Sequence, residues 1–329
     1  MSIIERKYDH IIVDTNNVYY ANYYVFNDLT YQIKNSVIIT GGVYGSILAF
    51  QRLRKRFLKE DGILWALFDN AKSKTNIRKT IDPDYKLDRH KMPKSFYRAL
   101  DYFRMIQMNH SFNQKIVYET GYESDDIAPV IIRKIPKDQS ILVVSEDLDW
   151  SRLIDYQGRT VHQYMKKEIF DATAFKKKYE FSPSENKIVL YKVIRGDKVD
   201  NIPKGIKGLP TKILLQLIDD FKDIFEVHEQ VSIIPYLTDH WKQVIKDNFP
   251  RLALNHQLVS FIPLSDTDVD NYISDCKYSP KVLKIFYESL GFKIRGVDER
   301  LSNDLRRFDK KLTGNSFDDF WTRPSYPRK

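Results

Sequence analysis

Two acidic clusters about twenty residues apart constrain this chain more than any other feature. Glu123, Asp125 and Asp126 open an apolar helical run carrying Ile127, Val130 and Ile131. Asp147 and Asp149 follow the four apolar residues 141–144. A short, unbroken apolar run of that kind reads as a strand buried on both faces, as in parallel sheets. A strand–helix–strand unit brings both clusters to the carboxyl ends of strands, where open α/β sheets bind ligands. Carboxylates packed so closely repel one another unless cations neutralise them. Hard oxygen ligands point to Mg2+ or Mn2+.

The same pattern recurs upstream. His10, Ile11, Ile12 and Val13 lead into Asp14, and the run 63–68 leads into Asp69 and Asn70. Asp14 has two open roles, a carboxylate delivered to a strand end or the cap of the next helix, and capping is the commoner role for a lone Asp. Between these strands Val43, Ile47, Phe50, Leu53 and Phe57 recur at helical spacing, with Arg52, Lys55, Arg56 and Lys59 on the solvated face. Further periodicity predicts helices over 95–110, 171–179 and 184–195, a strand over 115–119 and an edge strand over 160–164. Residues 222–292 read as several helices broken at Pro235, Pro250, Pro263 and Pro280. The expected class is α/β, with a central, mostly parallel sheet and helices on both faces.

The chain has 329 residues and a formal net charge of +9, so a basic body surrounds an acidic pocket. That combination suits a polyanionic substrate held near metal ions. The basic charge concentrates in 71–98, where nine Lys or Arg face three Asp and Tyr85 and Tyr97 are interleaved. Cations track a phosphate backbone and aromatic rings stack on unpaired bases. The alternative is a mobile basic loop with no ligand. Cys276 is the only cysteine and the seven histidines are scattered, which excludes an internal disulfide and a cysteine zinc cluster. With no apolar run of membrane-spanning length and a charged N-terminus, the expected setting is reducing and cytoplasmic.

Asp197 and Asp200 lie three residues apart, close enough to share one helical turn. Behind them a loop rich in Gly and Pro leads into an apolar helix over 209–218, with Lys207 and Lys212 adding charge. Small residues let backbone amides approach phosphates, and a helix–loop–helix of this kind grips duplex without reading sequence. Beyond 293 the chain is polar until Phe317, Phe320 and Trp321, which either form a short docking peptide or fold back onto the body. No Walker loop, dinucleotide glycine fingerprint or placed Ser/Cys–His pair is present in the sequence.

Taken together, I-V-D-T-N, L-F-D-N-A-K-S with a later Y-K-L-D-R, Y-E-S-D-D, S-E-D-L-D-W and R-G-D-K-V-D-N-I-P resemble the 5'-nuclease (flap endonuclease) superfamily, most closely its phage RNase H branch. The resemblance covers roughly residues 10–220. It implies a PIN-like core over 1–196 with a basic helical arch at about 70–98. A helical duplex-binding region over 197–292 would begin with a helix–three-turn–helix at 197–220, and a polar tail would occupy 293–329. It places Asp14, Asp69, Glu123, Asp125, Asp126, Asp147, Asp149, Asp197 and Asp200 at acidic positions holding two divalent ions. Lys86 and Arg89 fall at catalytic basic positions near the scissile phosphate. Arg78, Tyr85, Lys204, Lys207 and Lys212 fall at nucleic-acid-binding ones.

A K+ ion at the helix–three-turn–helix is also implied, although Pro210 and Thr211 replace a Gly-containing step and an extra residue sits near Lys204. The implied activity is two-metal hydrolysis of DNA carrying a 5' flap or end, and of RNA–DNA hybrid, by a monomer that removes primers and flaps in replication. The cellular setting would be an infected bacterial cytoplasm, with Phe317, Phe320 and Trp321 docking on a sliding clamp, or with a single-strand-binding protein as partner. Two rivals stay open: a PIN-type endoribonuclease, and a DNA-structure-binding protein whose pocket is silent.

Overall fold

The structure is a computed structural model that describes residues 7–33, 36–69, 77–88 and 91–292. Its centre is a seven-stranded sheet built from β1 (Tyr8–Asp14), β4 (Leu58–Leu67), β5 (Gln114–Val117), β6 (Ile141–Val144), β7 (Val161–Met165), β8 (Glu168–Phe170) and β9 (Ile273–Asp275). The order is β8-β7-β6-β1-β4-β5-β9. β1 pairs parallel with β4 and β6, β4 with β5, and β6 with β7, while β8 and β9 close the two edges antiparallel. A separate hairpin joins β2 (Thr30–Ile33) to β3 (Ser36–Ile39).

The central strands are apolar on both faces because both faces are covered. In β1, Ile11 and Val13 enter one core while Ile12 enters another; in β4, Leu64 and Ala66 oppose Trp65 and Leu67 in the same way. Two-sided burial is what removes the polar alternation from their sequences. One face packs against α1 (Thr15–Val25), α2 (Gly41–Phe57), α4 (Lys94–Met108) and α13 (Pro280–Ser289). The other packs against α5 (Ser124–Lys134) and a 3-10 turn at Leu148–Leu153. α6 (Ala172–Tyr179), α7 (Glu185–Arg195), α8 (Thr211–Asp220), α9 (Ile224–Gln230), α10 (Asp239–Asp247) and α11 (Phe249–Val259) gather around another apolar core. Short α3 (Ile77–Ile81) and α12 (Thr267–Asp270) complete the described α-helices. Among the described residues no helix is long and apolar enough to cross a membrane.

Two expectations need correction. The strand near 160–164 is not an edge, because β8 pairs beyond it. The stretch 222–292 is not wholly helical: β9 pairs with β5 through Ile273, Ser274 and Asp275, a segment too short for a period to register.

Chain order explains where a site must form. From β1 the chain crosses to β4 and β5 on one side, then returns to β6 and β7 on the other. β1 is therefore the switch point, and the crevice at its carboxyl end is where ligands bind in such sheets.

Candidate active site and metal centre

Three strand ends and the start of α5 deliver carboxylates to that crevice. Asp14 ends β1 and also caps α1, its Oδ1 accepting from Asn17 N at 3.1 Å, so both sequence roles are filled at once. Ser145 Oγ donates to Asp14 Oδ2 at 2.9 Å. Asp69 follows β4, and its Oδ1 accepts from Ser124 N at 2.8 Å, the first residue of α5. Glu123 occupies the cap position of α5, and Asp125 lies in its first turn. Asp147 and Asp149 follow β6, with Asp149 N donating to Asp147 Oδ1 at 2.9 Å.

A second wall comes from the loop after α7. Gly196 turns the chain there with φ +72°, and a Cβ would approach Ile202 O and Lys204 N within 2.7 Å. Only glycine meets both conditions. Asp197 then pairs with Ile202 through backbone bonds of 2.9 and 2.7 Å, closing a tight loop. The result sets carboxylate oxygens of Asp149, Asp197 and Asp200 within 4.8 Å of one another.

Eight carboxylates thus converge: Asp14, Asp69, Glu123, Asp125, Asp147, Asp149, Asp197 and Asp200. Four cations face them, the first being Arg78, with Nη1 3.5 Å from Glu123. Lys86 Nζ lies 2.7 Å from Glu123 and 3.6 Å from Asp200. Lys192 Nζ lies 2.6 Å from both Asp149 and Asp197. Arg152 Nη2 lies 3.5 Å from Asp149 and 3.7 Å from Asp125.

The imbalance shows in the acidities. Desolvation, with Asp69 alongside, pushes the Asp14 carboxyl up to about 7. Desolvation and Asp149 push Asp147 up to about 6. Desolvation and Asp126 drive Asp125 well above the carboxylate range. Asp149 is the exception: desolvation would raise it, but Lys192 and Arg152 prevail and hold it at about 2. Lys192 in turn keeps its proton despite burial because Asp149, Asp147 and Asp197 surround it.

The donor set fits divalent cations. Oxygen ligands dominate, more negative charge is present than the protein's own cations offset, and buried Asp149 Oδ1 makes no hydrogen bond.

Three predicted positions, Asp126, Arg78 and Tyr85, take internal roles. Asp126 is taken up by a two-pronged pair with Arg78, at 2.7 and 2.8 Å, and also accepts from Ile262 N at 2.9 Å. Arg78 is only 2% exposed and donates further to Leu258 O and Ser260 O, so it is an internal brace rather than a phosphate contact. Tyr85 is buried as well, its hydroxyl 3.2 Å from Glu123 and from Asp200, and it joins the site from inside. Lys204, Lys207 and Lys212 are exposed on and just beyond the loop, outside the crevice. Arg89, Phe317, Phe320 and Trp321 lie outside the described residues.

Sequence reading missed Lys192 and Arg152. For Lys192 a signal existed: it follows Ile188 by four and Val189 by three, placing a charge on the buried stripe of α7 beside an acidic motif. Arg195, also missed, braces the loop by donating to Leu209 O at 3.1 Å and Thr211 Oγ1 at 2.8 Å.

Comparison with known proteins agrees with this geometry. Residues 9–180 match the family model of the 5'-3' exonuclease N-terminal, resolvase-like domain. A 5'-3' exonuclease of Buchnera aphidicola is 27% identical over 269 residues, covering 80% of this chain and 90% of that protein. One of Mycoplasmopsis pulmonis is 28% identical over 239 residues, covering 72% and 75%. The fold is similar to that of the T5 D15 protein co-crystallised with metal ions, at TM-score 0.56, 18% identity, and 85% and 97% coverage. It is also similar to the Rad2 catalytic core in complex with DNA substrate, at TM-score 0.53, 9% identity, and 94% and 93% coverage. With the model matched over more than half its length, the chain belongs to the family of the 5'-3' exonuclease N-terminal domain.

Proposed function

We propose that this chain is a structure-specific 5' nuclease that hydrolyses phosphodiesters near a free 5' end or at a 5' flap, removing flaps and RNA primers in DNA replication. One observation carries the reading: eight carboxylates share a crevice with four cations, and burial beside like charges pushes Asp14, Asp125 and Asp147 above the ordinary carboxylate range. The relatives named 5'-3' exonuclease and the DNA complexes among the structural neighbours support the same substrate class.

The eight carboxylates would hold two divalent ions, Mg2+ or Mn2+. When bound, such ions would polarise the phosphodiester and lower the pKa of water at the site. The protein's own groups do the rest. Lys192 holds Asp149 ionised and sets Asp149 and Asp197 each 2.6 Å from one ammonium, so the two carboxylates meet at one point. Lys86 rests on Glu123 and Asp200 and can give its charge to phosphoryl oxygens once those carboxylates bind metal. Lys204, Lys207 and Lys212 lie exposed where a duplex backbone could follow the loop, giving grip without base readout.

Asp149→Asn tests this directly. Cleavage of a 5'-flap duplex should fall at least about a hundredfold, the usual loss when a charge-stabilising group is removed. Affinity measured by gel shift should stay within several-fold. Normal turnover by the variant would remove Asp149 from the metal set and sink the assignment.

A further inference from the structure

A cavity of about 230 Å³ lies between α4 and the carboxyl ends of β4 and β5. Sites for drug-sized ligands run to about 300–1,000 Å³, so this one suits a single ring system. It shares Asp69 with the acidic crevice, which sets its occupant beside the reacting bond. Resting on the nuclease reading above, we infer that it holds the base of the first unpaired nucleotide on the 5' side of the phosphate that is cut.

The lining selects a flat, neutral heterocycle. Tyr97, Leu100, Asp101 and Arg104 recur along one face of α4 and make one wall. Phe68 and Tyr118 make the floor, packed edge to face at 6.2 Å. The Arg104 guanidinium lies 3.9 Å above the Tyr118 ring, extending a planar stacking surface. Its buried Nε–H makes no hydrogen bond, leaving a donor unspent. Tyr97 is 40% exposed at the rim, where a ring can close over a base.

Charge decides against a phosphate inside. Asp69 and Asp101 both line the space and would repel one. Exposed Lys94 and Arg98, on the first turns of α4, offer the phosphates a place outside it. An unpaired strand could therefore seat a base in the cavity while its backbone follows the basic edge. Every base has a π-face, so such a pocket positions the strand without reading its sequence.

The test uses a 5'-flap duplex with 2-aminopurine as the first flap nucleotide, in EDTA so that nothing is cut, with binding followed by anisotropy of a duplex label. The wild-type protein should quench the probe on binding, and Tyr97→Ala and Arg104→Gln should abolish the quench. An abasic residue at that position should weaken wild-type binding at least about fivefold, the loss expected for one base–aromatic stack. It should weaken Tyr97→Ala no further, because the partner ring is already gone. Unchanged fluorescence on wild-type binding, or an equal abasic penalty in both proteins, overturns the inference. A wild-type protein that quenches the probe but cuts nothing in Mg2+ supports the cavity and overturns the nuclease reading. No binding at all overturns both.

Discussion

Lys86 shows how far the site depends on single side chains. Its backbone is left-handed, with φ +55°, a conformation uncommon for any residue but glycine. The N–H donates to Asp200 O at 2.9 Å while the ammonium reaches Glu123 and Asp200, so the site, not the local sequence, fixes this turn. Lys86→Ala should lower the single-turnover cleavage rate by about 10²- to 10³-fold, the scale of one lost transition-state donor. Affinity for the flap duplex should fall less than about tenfold; equal losses in both would mean that Lys86 only positions substrate.

The carboxylates were legible at this scale, because an Asp directly after an apolar run marks a strand's carboxyl end, as at Asp14 and Asp69. The buried cations were not. Arg78 sits in a basic segment where a phosphate contact is the natural reading, and only the fold reveals Asp126 as its partner.

Among elements, Arg78 ties α3 to α5 and to the end of α11, through Asp126, Leu258 and Ser260. Removing one partner of a buried pair strands the other charge, at a cost of about 3–5 kcal/mol. Arg78→Met should therefore lower the unfolding free energy by about that amount, read from a urea titration. Arg78→Lys should not restore it, since an ammonium cannot make the two-pronged contact. A loss below about 1 kcal/mol, the range of surface pairs, would contradict the bracing role.

The core helices and parallel strands were legible because their apolar periods run long enough to distinguish. β9, with three residues and one apolar side chain, carries no period, and its place beside β5 is set by backbone pairing from far along the chain. The hairpin of β2 and β3 likewise shows itself only through pairing.

Across the whole molecule, the crevice lies where the sheet meets the helical region. Asp14, Asp69, Asp147 and Asp149 come from the sheet, Asp197 and Asp200 from the loop between α7 and α8, and Lys192 on α7 ties the two sets together. Cys276 reports on the integrity of the far edge. It is buried just beyond β9, its N–H donating to Gln114 O at 3.0 Å, and burial pushes its thiol up to about 12. Because the thiolate is the reactive form, iodoacetamide at pH 8 should leave Cys276 unmodified in the native protein and label it once urea unfolds the chain, as read by mass spectrometry. Rapid native labelling would mean that β9 is not held against β5.

The acidic crevice should cut phosphodiesters at 5' structures only with a divalent cation. A labelled duplex with a 5' flap, and a matched RNA–DNA hybrid, each incubated with Mg2+ or with EDTA, test it most directly. Cutting near the flap junction, or short products released from the 5' end, is expected in Mg2+ and none in EDTA. Substrates left intact in Mg2+ while a gel shift shows them bound would contradict it and leave a DNA-structure-binding protein with a silent pocket.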